Sequence, residues 1–192
     1  MNRIYLDHAA TTPLSAEARA AMAEGLERWA NPSSPHAEGR AARAALENAR
    51  ERIKAALGWE GALLFTSGAS EALALALGRA KAGRRRLAAV EHDALFRAAP
   101  LAEAIPVDAA GRVCLEQVEP GDLTAIQSVN NETGVIQPLE ALAPAIREGG
   151  ALLLADCAQS AGKMPLPDAD FLTVSAHKLG GPPGIGALLV RD

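Results

Sequence analysis

Lys178 stands just beyond an apolar run, Phe171-Leu-Thr-Val174, and the short polar step Ser175-Ala-His177. A loop of glycine and proline, Leu179-Gly-Gly-Pro-Pro-Gly-Ile-Gly186, follows it and delays the next element. A lysine held at the end of a buried strand is poorly solvated, and desolvation disfavours the charged form of an amine. A neutral amine is a nucleophile able to form a Schiff base with a carbonyl. The competing account is an inert, solvated lysine, which is what most lysines are. The choice turns on what else the chain delivers to the same place.

Polar residues recur just past the other apolar runs. Thr66-Ser-Gly-Ala-Ser-Glu71 follows Ala62-Leu-Leu-Phe65 and leads straight into a helix, so its small residues allow backbone amides and hydroxyls to meet a phosphate. Plain helix capping by Ser67 explains the same residues. His92, in Glu91-His-Asp93, suits either a ring laid on a planar group or a cap for the next helix. Asn131, in Asn130-Asn-Glu-Thr-Gly134, suits either a donor to a ring oxygen or an ordinary turn. Asp156 ends another apolar run, with Gln159 three residues on. A carboxylate there is costly unless paired, and a protonated ring nitrogen is a suitable partner, with capping as the alternative.

Elements must bring these residues together. Ser15 is placed to cap a helix with Ala18, Met22, Leu26 and Trp29 on one face. Asn31-Pro-Ser-Ser-Pro35 breaks it, and a longer helix follows with Ala42, Leu46, Ala49, Ile53 and Leu57 as its stripe and Gly58 as its stop. Short apolar strands then alternate with helices: strands at 62–65, 87–90, 123–129, 151–155, 171–174 and 186–190, helices at 69–79 and 139–147, and a weaker helix interrupted at Pro100. Ile105-Pro-Val107 reads as an edge strand, because proline is poorly tolerated centrally, and Val113-Cys-Leu115 follows a turn at Gly111. The pattern predicts an α/β fold, three layers in αβα order around a mostly parallel sheet. Ligands bind beyond the carboxyl ends of the strands in such sheets. Five strand ends thus deliver a phosphate loop, an imidazole, an amide, a carboxylate and a lysine to one edge. Pyridoxal phosphate needs that set: a Schiff-base lysine, a carboxylate for the pyridine nitrogen and a helix start for the phosphate.

The totals set the frame. With 192 residues, 49% hydrophobic and 22% charged, the composition is that of an ordinary globular domain. A net charge of −4 gives no basic field for nucleic acid or an anionic membrane, and Arg84-Arg85-Arg86 reads as a solvated loop. The two cysteines, Cys114 and Cys157, lack metal-type spacing, which argues against a disulfide scaffold or a metal site and fits a reducing compartment. The opening Met-Asn-Arg-Ile-Tyr is not an apolar signal segment and no run reaches membrane-spanning length, so the expected location is cytoplasmic.

The chain resembles the cysteine desulfurases, of the class V aminotransferase group of pyridoxal phosphate enzymes. The resemblance is carried by Tyr5-Leu-Asp-His-Ala-Ala-Thr-Thr-Pro13, Asn31-Pro-Ser-Ser34 with His36 and Gly39-Arg40, Phe65-Thr-Ser-Gly-Ala-Ser-Glu71 and Glu91-His92. Val129-Asn-Asn-Glu-Thr-Gly-Val135, Asp156 to Lys163 and Ser175 to Gly186 complete it. The resemblance implies an N-terminal segment over residues 1–14 and a pyridoxal-phosphate-binding large domain over 15–192. It makes Lys178 the Schiff-base lysine and has His92 stack on the ring and assist proton transfer. Asp156 would pair with the pyridine nitrogen, Gln159 would contact the phenolic oxygen and Asn131 would lie beside it. Ala69, Ser70, Ser175 and His177 would hold the phosphate, with Ser70 standing where the family usually has threonine.

The implied activity is removal of sulfur from L-cysteine, giving alanine and a protein persulfide, as in sulfur metabolism and iron–sulfur cluster assembly. The family continues for roughly as long again, and its sulfur-accepting cysteine and substrate-gripping arginine fall in that continuation; neither Cys114 nor Cys157 matches the acceptor. Three readings follow. The chain is half of a split desulfurase, as a homodimer or with a complementing C-terminal-half polypeptide and a possible sulfur-acceptor protein. Alternatively it is a catalytically incomplete cofactor-binding or interaction protein. Otherwise it is a class V aminotransferase or selenocysteine lyase type of enzyme. The complete array from Thr66 to Lys178 favours the first.

Overall fold

The computed structural model describes residues 4–114, 116, 118 and 123–191. Helix α1, Ala16–Leu26, begins at Ser15, whose Oγ accepts from the amide of Ala18 at 3.0 Å. Helix α2, Ala37–Leu57, begins at His36 and stops at Gly58, whose left-handed backbone (φ 65°) costs glycine little. Strand β1 (Ala62–Thr66) leads into α3 (Ala69–Arg79), β2 (Arg85–Ala88) into the short α4 (Asp93–Ala98), and β3 is Glu103–Ile105. Strand β4 (Leu123–Gln127), α5 (Leu139–Glu148), β5 (Leu152–Asp156), β6 (Phe171–Ser175) and β7 (Gly186–Val190) complete the elements.

The strands form one sheet in the order β1-β7-β6-β5-β4-β2-β3. Strand β7 is antiparallel to both β1 and β6, while the β2, β3, β4, β5 and β6 pairings are parallel. Every strand but β7 therefore points the same way. The carboxyl ends of β1, β2, β4, β5 and β6 share one edge, joined there by the amino end of β7. Gly186 fixes that corner: it pairs with both Thr66 and Ser175, and a Cβ on it would lie 2.6 Å from the Val174 carbonyl oxygen and 2.7 Å from Gly68.

Burial on both faces makes the layers. One face carries Leu139, Leu142 and Ile146 of α5, with Ile53 and Leu57 of α2 packed beside them. The other carries Ala72, Leu73, Ala76 and Leu77 of α3 with Ala94 and Leu95 of α4. Central strands covered on both sides can be apolar throughout, and β4 is buried at all five positions. The α/β fold with its mostly parallel sheet is thus as the alternation predicts.

Several local expectations need correction. Arg84-Arg85-Arg86 is not a solvated loop. Strand β2 starts at Arg85, whose guanidinium donates to the carbonyls of Leu77, Ala82 and Gly83 near the end of α3, while Arg86 is buried. The pull of those carbonyls starts the strand two residues before the apolar run. The face of α1 drawn from Met22, Leu26 and Trp29 is not a buried stripe: no residue of α1 is buried, and Trp29 lies beyond the helix at 82% exposure. Strand β3 ends before Pro106, as a residue lacking an amide donor requires, and Val107 instead bridges Val113; Leu115 lies outside the described residues. Strand β4 stops at Gln127, and Val129 bridges Ile136 across a turn.

Candidate functional site

The shared edge holds a cavity of about 380 Å³, of a size that suits a small cofactor. Lys178, His92, Asp156, Gln159, Asn131, Ser175, His177, Ala69 and Ser70 all line it. The structure thus brings every residue singled out from the sequence to one place.

Asp156 forms the floor. It ends β5 and is 7% exposed. Its Oδ1 accepts from the amide of Ala158 and from Thr173 Oγ1, both at 2.9 Å, while Oδ2 receives no hydrogen bond from the described residues. Burial pushes this carboxyl above its usual range, against those two donors and the electrostatic pull of His92 and Lys178. A further cationic donor in the cavity would relieve that burial cost.

Lys178 lies in a single 3₁₀ turn, Ala176–Lys178, directly after β6. Burial, and then the positive charge of Lys163, hold its ammonium below the usual lysine range, which favours the nucleophilic form. The amine donates to the carbonyl of Ala9, and Gln159 Nε2 donates to that same oxygen at 2.9 Å. The amino-terminal loop is fastened to the lysine turn and the loop after it by four more bonds: Thr11 Oγ1 to the His177 carbonyl at 3.2 Å, Thr12 N to the same carbonyl at 2.7 Å, Thr12 Oγ1 to that of Lys178 at 2.8 Å, and Ser15 N to that of Gly180 at 2.9 Å.

The opposite wall is the start of α3. The expectation of a Ser67 cap does not hold: Gly68 is the N-cap and no side chain caps the helix. The first intrahelical bond runs from Ala72 to Gly68, so the amides of Ala69, Ser70 and Glu71 stand ahead of it at the positive end of an eleven-residue helix. Ser175 Oγ and His177 Nδ1 lie 3.0 Å apart beside this wall. Burial, then the Lys178 charge, lowers the pKa of His177, so its imidazole stays neutral. Glu71 turns its carboxylate back onto the Ser67 amide at 2.5 Å, and that bond lowers its pKa.

His92 takes the capping role left open by the sequence and also faces the cavity. Its Nδ1 accepts from the amide of Ala94 at 3.1 Å, capping α4, and the ring also lines the cavity. With Nδ1 engaged as acceptor, the neutral ring carries its proton on Nε2. The turn at 130–133 is built by Asn130, whose Oδ1 accepts from Glu132 and Thr133, and this leaves Asn131 to line the cavity.

Two contributors carried no clear sequence signal. The Ala9 carbonyl reaches the site through a contact 169 positions long. Gln127 lines the cavity from within an apolar strand. Glu91, buried beside His92, was visible as a carboxyl just past an apolar strand, the same signal as Asp156. Cys157 has the opposite placement: it packs in the apolar core, and burial pushes its thiol up to about 12.

These features fit pyridoxal phosphate: an uncapped helix start flanked by hydroxyls for the phosphate, a buried carboxylate with an open oxygen for the ring nitrogen, and a lysine whose charge is already disfavoured.

Residues 4–192 match the family described as aminotransferase class-V. A cysteine desulfurase of Cereibacter sphaeroides is 39% identical over 216 residues, spanning 100% of this chain and 56% of its own length. The X-ray structure of a NifS-like protein from Rickettsia africae ESF-5 has a TM-score of 0.91 at 31% identity, covering 98% of this chain and 58% of that one. A structure described as SspA in complex with cysteine has a TM-score of 0.88 at 32% identity, covering 99% of this chain and 62% of that one. The chain spans about half the length of the curated relatives it matches.

Proposed function

The chain belongs to the aminotransferase class-V family, and on that premise we propose that it builds a pyridoxal-phosphate pocket and takes part in desulfuration of L-cysteine. One observation carries the proposal. Lys178 and the buried Asp156, at the ends of adjacent elements of the same sheet edge, line one cavity whose other wall is an uncapped helix start. The cysteine-desulfurase relatives, and the cysteine in the SspA structure, support the substrate.

When bound, the cofactor supplies an electron-withdrawing ring that makes the substrate's α-proton removable. The protein supplies the rest. The amides at the start of α3, with Ser70, Ser175 and His177, would bind the phosphate, and Asp156 would accept from the protonated ring nitrogen. Gln159 donates to the phenolic oxygen, with Asn131 beside it. Lys178 Nζ would hold the cofactor and, once free, would be placed to take and return a proton. His92 would lie against the ring and could move a proton at Nε2.

The net reaction needs no oxidant: a thiol and cysteine give a persulfide and alanine, with the acceptor thiolate forming the S–S bond as the C–S bond breaks. Cys157 is unsuited to that role because its thiol is buried away from the cavity and stays protonated. In this reading the acceptor thiol comes from a complementing polypeptide or a separate sulfur-acceptor protein.

The test is a borohydride trap. The chain is incubated with pyridoxal phosphate, reduced, and mapped by peptide mass, with Lys178→Ala as control. A stoichiometric adduct confined to Lys178 supports the pocket. Labelling scattered over surface lysines, or no adduct, defeats it. Added L-cysteine with a thiol acceptor should then release alanine; pyruvate release would instead favour β-elimination.

A further inference from the structure

Glu91 is a buried titratable group to which the proposed chemistry gives no part. Its carboxyl lies behind the loop that carries His92, at 7% exposure. Oε1 accepts from the backbone amide of Gln127 at 2.6 Å, whereas Oε2 is shielded from solvent and has no partner among the described residues. The clamp closes from the other side as well. Gln127 Nε2 donates to the Val90 carbonyl at 2.6 Å, and Asn130 Nδ2 donates to the same oxygen at 3.0 Å. Gln127 is the register partner of Asp156 across β4 and β5, and the next amide, Ser128, donates to the Asp156 carbonyl at 2.8 Å. Glu91 is therefore joined by one residue to the strand end that holds the cavity's carboxylate.

Two carboxyls buried this close cannot both be charged at low cost. Asp156 has what a charged carboxylate requires: two donors on Oδ1, an oxygen open to the cavity, and His92 and Lys178 within electrostatic reach. Glu91 has a single amide. An unpaired hydroxyl in such a site costs far less than an unpaired charged oxygen. Burial foremost, with the charge of Asp156 adding to it against the pull of the Gln127 amide, pushes the Glu91 carboxyl well above its usual range.

We propose that Glu91 is a positioning residue of the cofactor pocket: as a neutral acid it ties the His92 loop to the end of β4 and leaves Asp156 as the single carboxylate charge beneath the ring position. This rests on the pyridoxal-phosphate reading above. It gives the loop a fixed distance from the sheet edge, and it spares the ring nitrogen a second anion that would compete with its pairing to Asp156.

The test uses Glu91→Gln and Glu91→Ala in the full chain. Glutamine keeps the acceptor and the neutral charge, and alanine removes both. Infrared spectra of the protein without cofactor should show the C=O stretch of a protonated carboxylic acid that vanishes in Glu91→Gln. Pyridoxal phosphate affinity, read from the absorption band of the bound cofactor, should stay within about twofold in Glu91→Gln and weaken by about tenfold or more in Glu91→Ala, the scale of losing an outer-shell partner. Thermal melting checks that both variants fold, and rescue by glutamine separates positioning from a need for charge. Glu91→Gln binding as weakly as Glu91→Ala, absence of the protonated-acid band, or unchanged affinity in Glu91→Ala overturns the role alone, because the wild type would still bind. Failure of the wild type to bind pyridoxal phosphate overturns the pocket reading, and this role with it.

Discussion

The amine of Lys178 donates to the backbone carbonyl of Ala9, so the amino-terminal loop is tied directly to the lysine of the cavity. A neutral Schiff base at Lys178 would have no N–H left for that bond. The loop is kept in place meanwhile by Thr12, which binds the backbone of the lysine turn through both its amide and its hydroxyl. Thr12→Ala removes the hydroxyl bond, which is worth about 1 kcal/mol. Pyridoxal phosphate affinity should fall several-fold in a titration, with the reducible adduct still at Lys178. An adduct that moves to other lysines would mean that the loop, rather than the pocket, selects the site.

The depressed basicity of Lys178 gives a pH signature. Burial and Lys163 disfavour its charged form, so its neutral, reactive fraction appears at lower pH than that of an ordinary solvated lysine, and Lys81 serves as an exposed comparator. Brief trapping between about pH 7 and 9, below the ordinary lysine pKa, should label Lys178 well before Lys81. Peptide mapping at each pH reads the ratio, and parallel labelling of the two would show that Lys178 is an ordinary amine.

Asp156 should trade stability for binding. Its folded-state pKa is raised above the unfolded value, so the folded form holds the proton more tightly, and stability falls as pH rises from the unfolded pKa through the folded one. Asp156→Asn abolishes that loss. It should therefore melt higher than the wild type at neutral pH in the absence of cofactor, while binding pyridoxal phosphate at least about tenfold more weakly for want of a charge-assisted bond. A lower melting temperature would show that the carboxylate is structurally satisfied.

The phosphate wall can be tested by comparing two ligands. In the proposed pocket Ser70 and the α3 amides would act on phosphate alone, so Ser70→Ala should weaken pyridoxal phosphate by about tenfold, a hydrogen bond to a charged group, and leave pyridoxal unchanged. Equal losses for both ligands would place Ser70 against the ring.

The sheet and the cavity residues were legible because each apolar run is short, uninterrupted and followed by polar groups, and a parallel sheet gathers such ends at one edge. Asp156, Ser175 and Lys178 needed no more than that. Two kinds of feature were hidden. Arg85 and Arg86 enter β2 because carbonyls at the end of α3 receive Arg85, a pairing no local pattern displays. The Ala9 contact has no side-chain signature, since the acceptor is backbone. The exposed face of α1 shows the converse limit: apolar spacing reports that a helix has a face, and not whether anything covers it.

Gly186 joins the architecture to the site. A Cβ there would come within 2.6 Å of the Val174 carbonyl oxygen and 2.7 Å of the Gly68 backbone, all rigid main chain that cannot swing aside. Gly186→Ala must push the amino end of β7 away from β1 or from β6, and either movement separates the start of α3 from Ser175. Overpacking of this kind costs about 1–3 kcal/mol. The melting temperature should drop, and pyridoxal phosphate affinity should drop further than that of pyridoxal, because the phosphate wall spans the two strands that β7 holds together. Loss of stability with equal effects on both ligands would mean that the strand corner supports the fold without setting the phosphate wall.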